Sequence, residues 1–421
     1  MHILLIHQAF ASIAEAGGTR HHEFARQMQR RGHKVSVITG RVSYLTGAPV
    51  RPIRDDAQLF DDRGVTIIRC ASYGGWHRSF IHRVLSFLSF MWTSFWAAMR
   101  VRKVDLVWGT TPPIFQALTA RWVARFKRVP YVLEVRDLWP YFAVEIGVLT
   151  NPLIIALAEW LEGYLYRTAT TVIVNSPGYE DHVRSRGAVQ VGVVPNGVDP
   201  QMITLDAPGS GLRTKLGIDP QAFVVMYTGA HGISNDLGVV LRAAELLGNE
   251  SSIGFVLIGD GKEKPKLQKL VEEKRLGNVY FHPPVPKREI AACLVEADAG
   301  LAVLKDIPAY RLTYPNKVFD YMAAGLPVFC MIDGEIRKVV ERSNAGVFIQ
   351  PGNAEALAGV VREWQGRHAE LASMGKRGRE HVSEYYDRGA LADQMLEIMQ
   401  SASLFAGETH PRSRADMDSG K

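Results

Sequence analysis

Short apolar runs and helical patterns alternate along most of the chain. His2–Ile6 ("HILLI") is apolar and is followed by a helical stretch around "TRHHEFARQMQRRG". The same alternation continues through Lys34–Thr39, Val65–Arg69, a long apolar helix over Phe80–Arg100, Asp105–Gly109, the helical Ile114–Lys127, Tyr131–Val135, Thr171–Val174 and Val191–Val194. Strands that read as continuous apolar runs, separated by helices, predict crossover units and a parallel sheet covered on both faces.

The period is lost in "PNGVDPQMITLDAPGSG", which is rich in Gly, Pro and Asp and reads as a connector. It then resumes, with strands expected at Phe223–Gly229, Phe255–Gly261, Val279–Phe281, Ala299–Leu304, Pro327–Met331 and Gly346–Ile349. The division expected is a doubly wound α/β domain over 1–197, a linker over 198–211 and a second such domain over 212–385. A helix over 386–404 packs back on the first domain, and a polar, disordered tail fills 405–421. Sheets of this kind bind ligands at the carboxyl ends of their strands, so two facing each other make an interdomain cleft.

Within the second half, "LTYPNKVFDYMAAGLPVF" predicts a helix over about Lys317–Ala324, with Asn316 as N-cap, Gly325 just past the end and Pro327 blocking continuation. Lys317 and Asp320 share a face with Tyr321 and Ala324. A lysine at a helix start opposes the helix dipole unless an anion sits nearby. The plainest alternative is a solvated Lys317–Asp320 salt bridge.

Composition adds little to the fold and something to the partner. The chain has 421 residues, 47% hydrophobic and 22% charged, and a formal net charge of +6. That charge suits a nucleotide, a diphosphate or an anionic membrane, but is equally that of an ordinary soluble protein. The basic residues form no run interleaved with aromatics, which argues against nucleic acid. Cys70, Cys293 and Cys330 are too far apart for a metal motif and odd in number, as in a reducing compartment. The opening run lacks the pattern of a signal peptide.

Three glycine-bearing turns follow strands. Gly17 and Gly18 lie between the first strand and first helix, Gly229 and Gly232 close "MYTGAHG", and Gly259, Asp260 and Gly261 close "LIGDG". Glycines there let a backbone approach a ligand, and a following helix N-terminus offers N–H groups to an anion. The first turn is not the dinucleotide GxGxxG pattern.

Taken in order, "EAGGTRHHEFARQMQRRGHKVSVIT", "VPNGVD", "YTG", "GDG" and "FDYMAAGLPV" resemble the retaining nucleotide-sugar glycosyltransferases of the family-4 type, which have the GT-B fold. The resemblance covers about residues 1–400. "RDLWP" and "PNKVFDYMAAG" look like a bacterial surface-polysaccharide subgroup that transfers amino sugars of the fucosamine type. It implies an acceptor-binding first domain, a donor-binding second domain, a UDP-sugar donor and a lipid-linked glycan acceptor, with the enzyme cytoplasmic and peripheral on the inner face of the plasma membrane.

By the same resemblance Asp320 takes the place of the carboxylate that accepts hydrogen bonds from the donor ribose. The partner carboxylate of that motif would fall at Leu312, so Tyr314, Pro315 and Lys317 are expected to serve instead. The family's cationic pair on the diphosphate is absent after "YTG". Lys305 is the first substitute, with Lys262 and Lys264 behind it. Arg136 and Asp137 stand where many members carry a histidine against the donor sugar. The expected catalytic residues are therefore Arg136, Asp137 and Lys317. No DxD-type pair lies at a strand end, because Asp55–Asp56 and Asp61–Asp62 fall in a polar loop, so neither metal nor cofactor is expected. Two other readings share the fold: a nucleotide-sugar 2-epimerase, and a catalytically inactive nucleotide-sugar-binding partner.

Val84–Met99 carries no charge and has basic flanks. It is shorter than the ~20 apolar residues a spanning helix needs. Its aromatics, Phe90, Trp92, Phe95 and Trp96, appear on several faces, which favours a helix docking at an anionic membrane surface over a buried crossover helix.

Overall fold

The structure is a computed structural model that describes residues 1–42, 58–60, 64–74, 80–248 and 252–409. The Asp55–Asp56 and Asp61–Asp62 pairs and residues 410–421 of the expected tail lie outside the described residues.

The first sheet contains β1 (His2–Ile6), β2 (Lys34–Gly40), β3 (Gln58–Phe60), β4 (Thr66–Cys70), β5 (Leu106–Thr111), β6 (Tyr131–Val135), β7 (Thr171–Val174) and β8 (Val191–Val193). Their order is β3-β4-β2-β1-β5-β6-β7-β8, parallel except for the antiparallel edge pair β3–β4. The second sheet contains β9 (Phe223–Thr228), β10 (Ile253–Ile258), β11 (Val279–His282), β12 (Ala299–Val303), β13 (Val328–Met331) and β14 (Gly346–Phe348), in the order β11-β10-β9-β12-β13-β14. The strand order reverses between β1 and β5 in one sheet and between β9 and β12 in the other. These are the switch points at which doubly wound sheets open a crevice.

The second domain starts earlier than the chemistry of its first residues suggests. Val198 and Ile203, in the expected linker, are buried in the second domain's core, so the segment is anchored to that core at these two positions. The chain crosses between domains a second time at Tyr386–Arg388, where Val198 N–H donates to Tyr386 O (3.0 Å) and Arg388 N–H to Val198 O (2.8 Å). The helix Arg388–Thr409 then lays Leu391, Met395 and Met399 into the first domain's core beside Ile3, Leu5 and Phe24. It reaches into the segment expected to be a disordered tail, since residues 405–409 are helical.

The long helix Phe80–Arg100 has two unlike faces. Leu85, Leu88, Trp92 and Trp96, spaced by three or four residues, form an exposed stripe, with Trp92 66% and Trp96 47% accessible. Phe90 points the other way and is 1% accessible, inside the core. It cannot dock to a membrane, which corrects the expectation for that residue. Phe95 lies between the faces and meets Phe126 of the helix Ile114–Lys127 edge-on at 5.6 Å. Among the described residues no helix is long and apolar enough to cross a membrane.

Candidate active site in the interdomain cleft

On the second-domain side the site is built from backbone that only glycine allows. Gly229 (φ +145°), Gly259 (φ +148°) and Gly261 (φ +158°) follow β9 and β10. A Cβ on Gly259 would collide with the Gly229 carbonyl, and one on Gly261 with the His231 backbone. The two turns are thus folded onto each other and leave a cavity above them. Gly232 has ordinary room around it and lines neither of the two cleft cavities described below.

That cavity, about 370 Å³, brings together Gly17, Gly18, Gly229, Gly259, Asp260, Asn316, Lys317 and Asp320. The helix supplying the last three runs from Asn316 to Ala323 with Pro315 at the cap position. Asn316 is thus the first helical residue and not the cap. Its Oδ1 is buried and has no hydrogen-bond partner among the described residues. Tyr314 and Pro315 face a second, larger cavity.

Lys317 and Asp320 do not pair. Asp320 is buried and forms its ion pair with Lys287, from the loop after β11. Lys317 places Nζ 3.8 Å over the Tyr227 ring and 3.5 Å from Asn235 Oδ1. Burial lowers its pKa to about 7. A half-neutral lysine against glycine turns is poised to gain a proton when an anion arrives. Of the other lysines proposed for the diphosphate, Lys305 borders neither cavity, Lys262 is exposed, and Lys264 donates to Gly259 O (2.7 Å), bracing the turn.

On the first-domain side Glu134 sits fully buried on β6. It accepts from Arg20 Nε (2.7 Å) and pairs with His21 Nε2 (2.6 Å). Burial alone would raise this carboxyl, but His21 and Arg20 hold it well below the usual range. Arg20 also donates to Val194 O and Pro195 O, both at 2.6 Å, and to Asn196 Oδ1 (3.3 Å). Asn196 Nδ2 in turn donates to Tyr314 O (2.6 Å) across the cleft. The network therefore sets the loop before Asn316 relative to the Gly17–Gly18 turn.

Arg136 and Asp137 line the larger cavity, about 710 Å³. Arg136 Nε donates to Thr110 Oγ1 (3.0 Å) and Thr111 O (3.2 Å), and one terminal nitrogen donates to Pro112 O (2.8 Å). Asp137 is exposed to the cavity, with groups of both domains around it. Desolvation pushes its pKa up to about 6, against the pull of Arg136. The two cavities share Gly18, Arg20 and Asn316, so a ligand in one abuts a ligand in the other. Leu312, where the family pattern has a carboxylate, instead packs on the first domain's core, and its carbonyl accepts from Ser176 Oγ. A carboxylate there would be forced into apolar surroundings.

Sequence reasoning missed Arg20, Glu134, Lys287 and the buried Glu23–Arg388 pair (3.0 Å) that edges the smaller cavity. Only Glu134 left a signal, as an acid inside the apolar run "YVLEV". Among the described residues no group of three or more His, Cys, Asp or Glu is placed to hold a metal ion.

Two facing Rossmann-like domains with a cleft between strand ends define the GT-B class of glycosyltransferase. Residues 16–197 match the glycosyl transferase 4-like domain and residues 222–365 the glycosyl transferases group 1 domain, so the chain carries both in that order. It is similar to the colanic acid biosynthesis glycosyl transferase WcaI of Escherichia coli K12, 24% identical over 81% of this chain and 86% of that one. It also resembles the D-inositol 3-phosphate glycosyltransferase of Rhodococcus jostii RHA1, 28% identical over 49% of each. In fold it matches sucrose-phosphate synthase of Thermosynechococcus elongatus, with a TM-score of 0.75, 20% identity and coverage of 96% of this chain and 99% of that one. Anabaena Alr3699/HepE in complex with UDP-glucose matches with a TM-score of 0.70, 17% identity and coverage of 95% and 100%.

Proposed function

We propose that the protein transfers a sugar, with retention of configuration, from a UDP-sugar to a lipid-linked glycan in the assembly of a bacterial surface polysaccharide, an N-acetylated amino sugar being the first donor to test. The observation that carries this reading is the pair of abutting cavities. The smaller one has the glycine turns, a half-neutral lysine and a buried carboxylate suited to a nucleoside diphosphate. The larger one, reached past Asn316, is walled by both domains and suits an acceptor.

In this reading the diphosphate lies over Gly229 and Gly259 against Lys317, and the ribose hydroxyls donate to Asp320. As the sugar–phosphate bond breaks, negative charge grows on the leaving diphosphate. Lys317 and the N-terminus of the Asn316–Ala323 helix stabilise that charge without a metal. The orphaned Asn316 Oδ1 stands at the junction, where a sugar hydroxyl can donate to it. The acceptor attacks from the same face, and Asp137, on the wall of the larger cavity, accepts its proton in this reading. The exposed stripe of Leu88, Trp92 and Trp96, with Arg100, Arg102 and Lys103 beside it, suits docking at an anionic bilayer on the cytoplasmic side.

Incubation of the protein with a panel of UDP-sugars and a bacterial lipid extract tests the reading. Transfer of sugar to lipid is the expected result. Donor isomerisation without acceptor, or binding without turnover, overturns it.

A further inference from the structure

A groove of about 430 Å³ on the first domain shares no lining residue with either cleft cavity. One wall is the helix Pro152–Thr168, which presents Glu159, Trp160, Gly163 and Arg167 at three- and four-residue spacing, hence on one face. The other wall is the turn Ser185–Gly187, where the short helix Glu180–Ser185 ends.

The charges in the groove do not cancel. Arg186 pairs with Glu159 (2.9 Å) and with the buried Glu162 (3.7 Å). Arg167 is exposed and has neither an ion pair nor a hydrogen bond among the described residues. Its side chain runs between two glycines. A Cβ on Gly187 would lie 2.5 Å from Arg167 Cγ, and one on Gly163 2.9 Å from its Nη1. Gly163 stands inside a helix, where glycine is destabilising, and Gly187 has φ +105°. Both thus leave room for one guanidinium that no carboxylate of the chain neutralises, and an arginine so placed can hold a carboxylate through two parallel hydrogen bonds.

Trp160 is 60% accessible, and its ring lies nearly parallel to that of Tyr164, at 13° and 5.9 Å. An exposed indole offers a flat apolar surface to the C–H face of a pyranose, and the Glu159–Arg186 pair beside it offers acceptors and donors to hydroxyls. A lipid chain in the same groove would strip water from that ion pair without replacing its hydrogen bonds.

The groove is also close to the cleft. Tyr179, just before the helix Glu180–Ser185, lines the larger cavity, and Ser185 at the helix end lines the groove. The 6 residues of that helix rise about 9 Å. Along it, His182 stacks on Tyr141 at 5.6 Å and pairs with Glu162 at 2.9 Å.

We propose that this groove binds an acidic saccharide, with a pyranose ring on Trp160 and its carboxylate on Arg167. The role of the site rests on the glycosyl-transfer reading: it holds a distal part of the acceptor glycan while the reactive end lies in the larger cavity.

Calorimetry on the full chain tests it, with UDP at saturation. The probes are tetragalacturonate, its methyl ester, which keeps the rings and removes the charge, and phosphatidylglycerol vesicles. Tetragalacturonate is expected to bind about tenfold or more tighter than the ester, the worth of a charge-assisted hydrogen bond. Arg167→Gln should bring the acid down to the ester's affinity and leave the ester unchanged, whereas Trp160→Ala should weaken both. UDP affinity equal to that of the unsubstituted chain reports that each variant folds. Equal affinity for acid and ester, or unchanged tetragalacturonate affinity in either variant, overturns the inference. So does loss of vesicle binding in Trp160→Ala without saccharide binding, which assigns the face to a bilayer. Each of these results leaves the transfer reading standing. Failure of the chain to bind UDP or any UDP-sugar removes that reading and the acceptor role, while tetragalacturonate still tests the groove itself.

Discussion

Arg20 and Arg388 rest their guanidinium groups on one ring, that of Phe24, at 4.5 and 5.2 Å. Arg20 ties that ring's helix to the first interdomain crossing through Val194 O and Pro195 O. Arg388, at the second crossing, pairs with Glu23 of that helix and donates to the Gly197 carbonyl of the first crossing. Both strands of the hinge are thus fastened to the helix that follows the Gly17–Gly18 turn, and a change in the hinge must move that turn.

Substitution of Arg388 is expected to be costly. Glu23 and Arg388 are both almost fully inaccessible, at 4% and 3%. Arg388→Ala leaves Glu23 buried without its ion-pair partner, with only Thr19 Oγ1 donating to it, which costs about 3–5 kcal/mol. A fall in the denaturation midpoint checks it, and Glu23→Gln combined with Arg388→Met should recover much of the loss because no charge is left stranded. A double variant no more stable than Arg388→Ala would show that the pair is not what holds this hinge.

Lys317 should govern both donor affinity and its pH dependence. Lys317→Ala is expected to weaken UDP-sugar binding about 10- to 100-fold, the worth of a charge-assisted contact of about 1.5–3 kcal/mol. The donor-free lysine has a pKa of about 7, against a usual value of 10.5. Between these values the native state holds fewer protons than the unfolded state, so the donor-free protein gains stability as pH rises through this window. A bound diphosphate restores the proton. Near pH 8, about one pH unit above the lysine's own midpoint, UDP-glucose binding should therefore take up close to one proton, measurable by calorimetry in buffers of different ionisation enthalpy. The diphosphate diester has no proton of its own to contribute near neutrality. Unchanged proton uptake in Lys317→Met would remove the assignment.

Asp137 should set the acid limb of turnover. Its carboxyl faces the cavity and is raised to about 6 by the desolvating surroundings of the cleft against the pull of Arg136; it must be ionised to accept a proton, so activity is expected to fall as pH drops through 6. Asp137→Asn should lose about 100-fold or more in kcat, as removal of a general base does, and its remaining activity should lose that limb. Retention of the limb in the variant would place the titrating group elsewhere.

Much of the fold was legible because parallel strands buried on both faces read as unbroken apolar runs, as at His2–Ile6 and Thr171–Val174. The glycine turns and the Asn316–Ala323 helix were legible because backbone constraint and capping leave local marks. What stayed hidden depends on pairing across long sequence distances. Lys287 reaches Asp320 from another loop, and nothing near either residue announces it. Phe90 and Trp92 look alike in sequence, and only the position of the sheet decides which enters the core. The absent carboxylate at Leu312 reads as a lost contact, whereas in the fold that side chain closes the interdomain surface.

Metal dependence tests how the leaving charge is handled. Lys317 and a helix N-terminus line the smaller cavity, where the proposed diphosphate would lie, and no cluster of metal-binding side chains stands there among the described residues. Turnover in excess EDTA is expected to match turnover with added magnesium. Loss of most activity with EDTA, restored by a divalent cation, would mean that Lys317 alone does not carry the charge.

Membrane docking should depend on one face of one helix. Trp92 and Trp96 stand exposed and meet edge-on at 5.8 Å, while Phe90 on the opposite face is in the core. Trp92→Ser with Trp96→Ser removes roughly 1.5–3 kcal/mol of apolar transfer for each ring that becomes fully buried in lipid. The double variant should therefore lose about tenfold or more in co-sedimentation with phosphatidylglycerol vesicles, at unchanged thermal midpoint. Phe90→Ser should behave in the opposite way, with a lowered midpoint and no specific loss of vesicle binding in the fraction that stays folded. Arg100, Arg102 and Lys103 adjoin the stripe, so added salt should weaken binding to these anionic vesicles and leave binding to neutral phosphatidylcholine vesicles nearly unchanged. Equal binding of the double variant and the unsubstituted chain at low salt would show that the stripe is not the docking face.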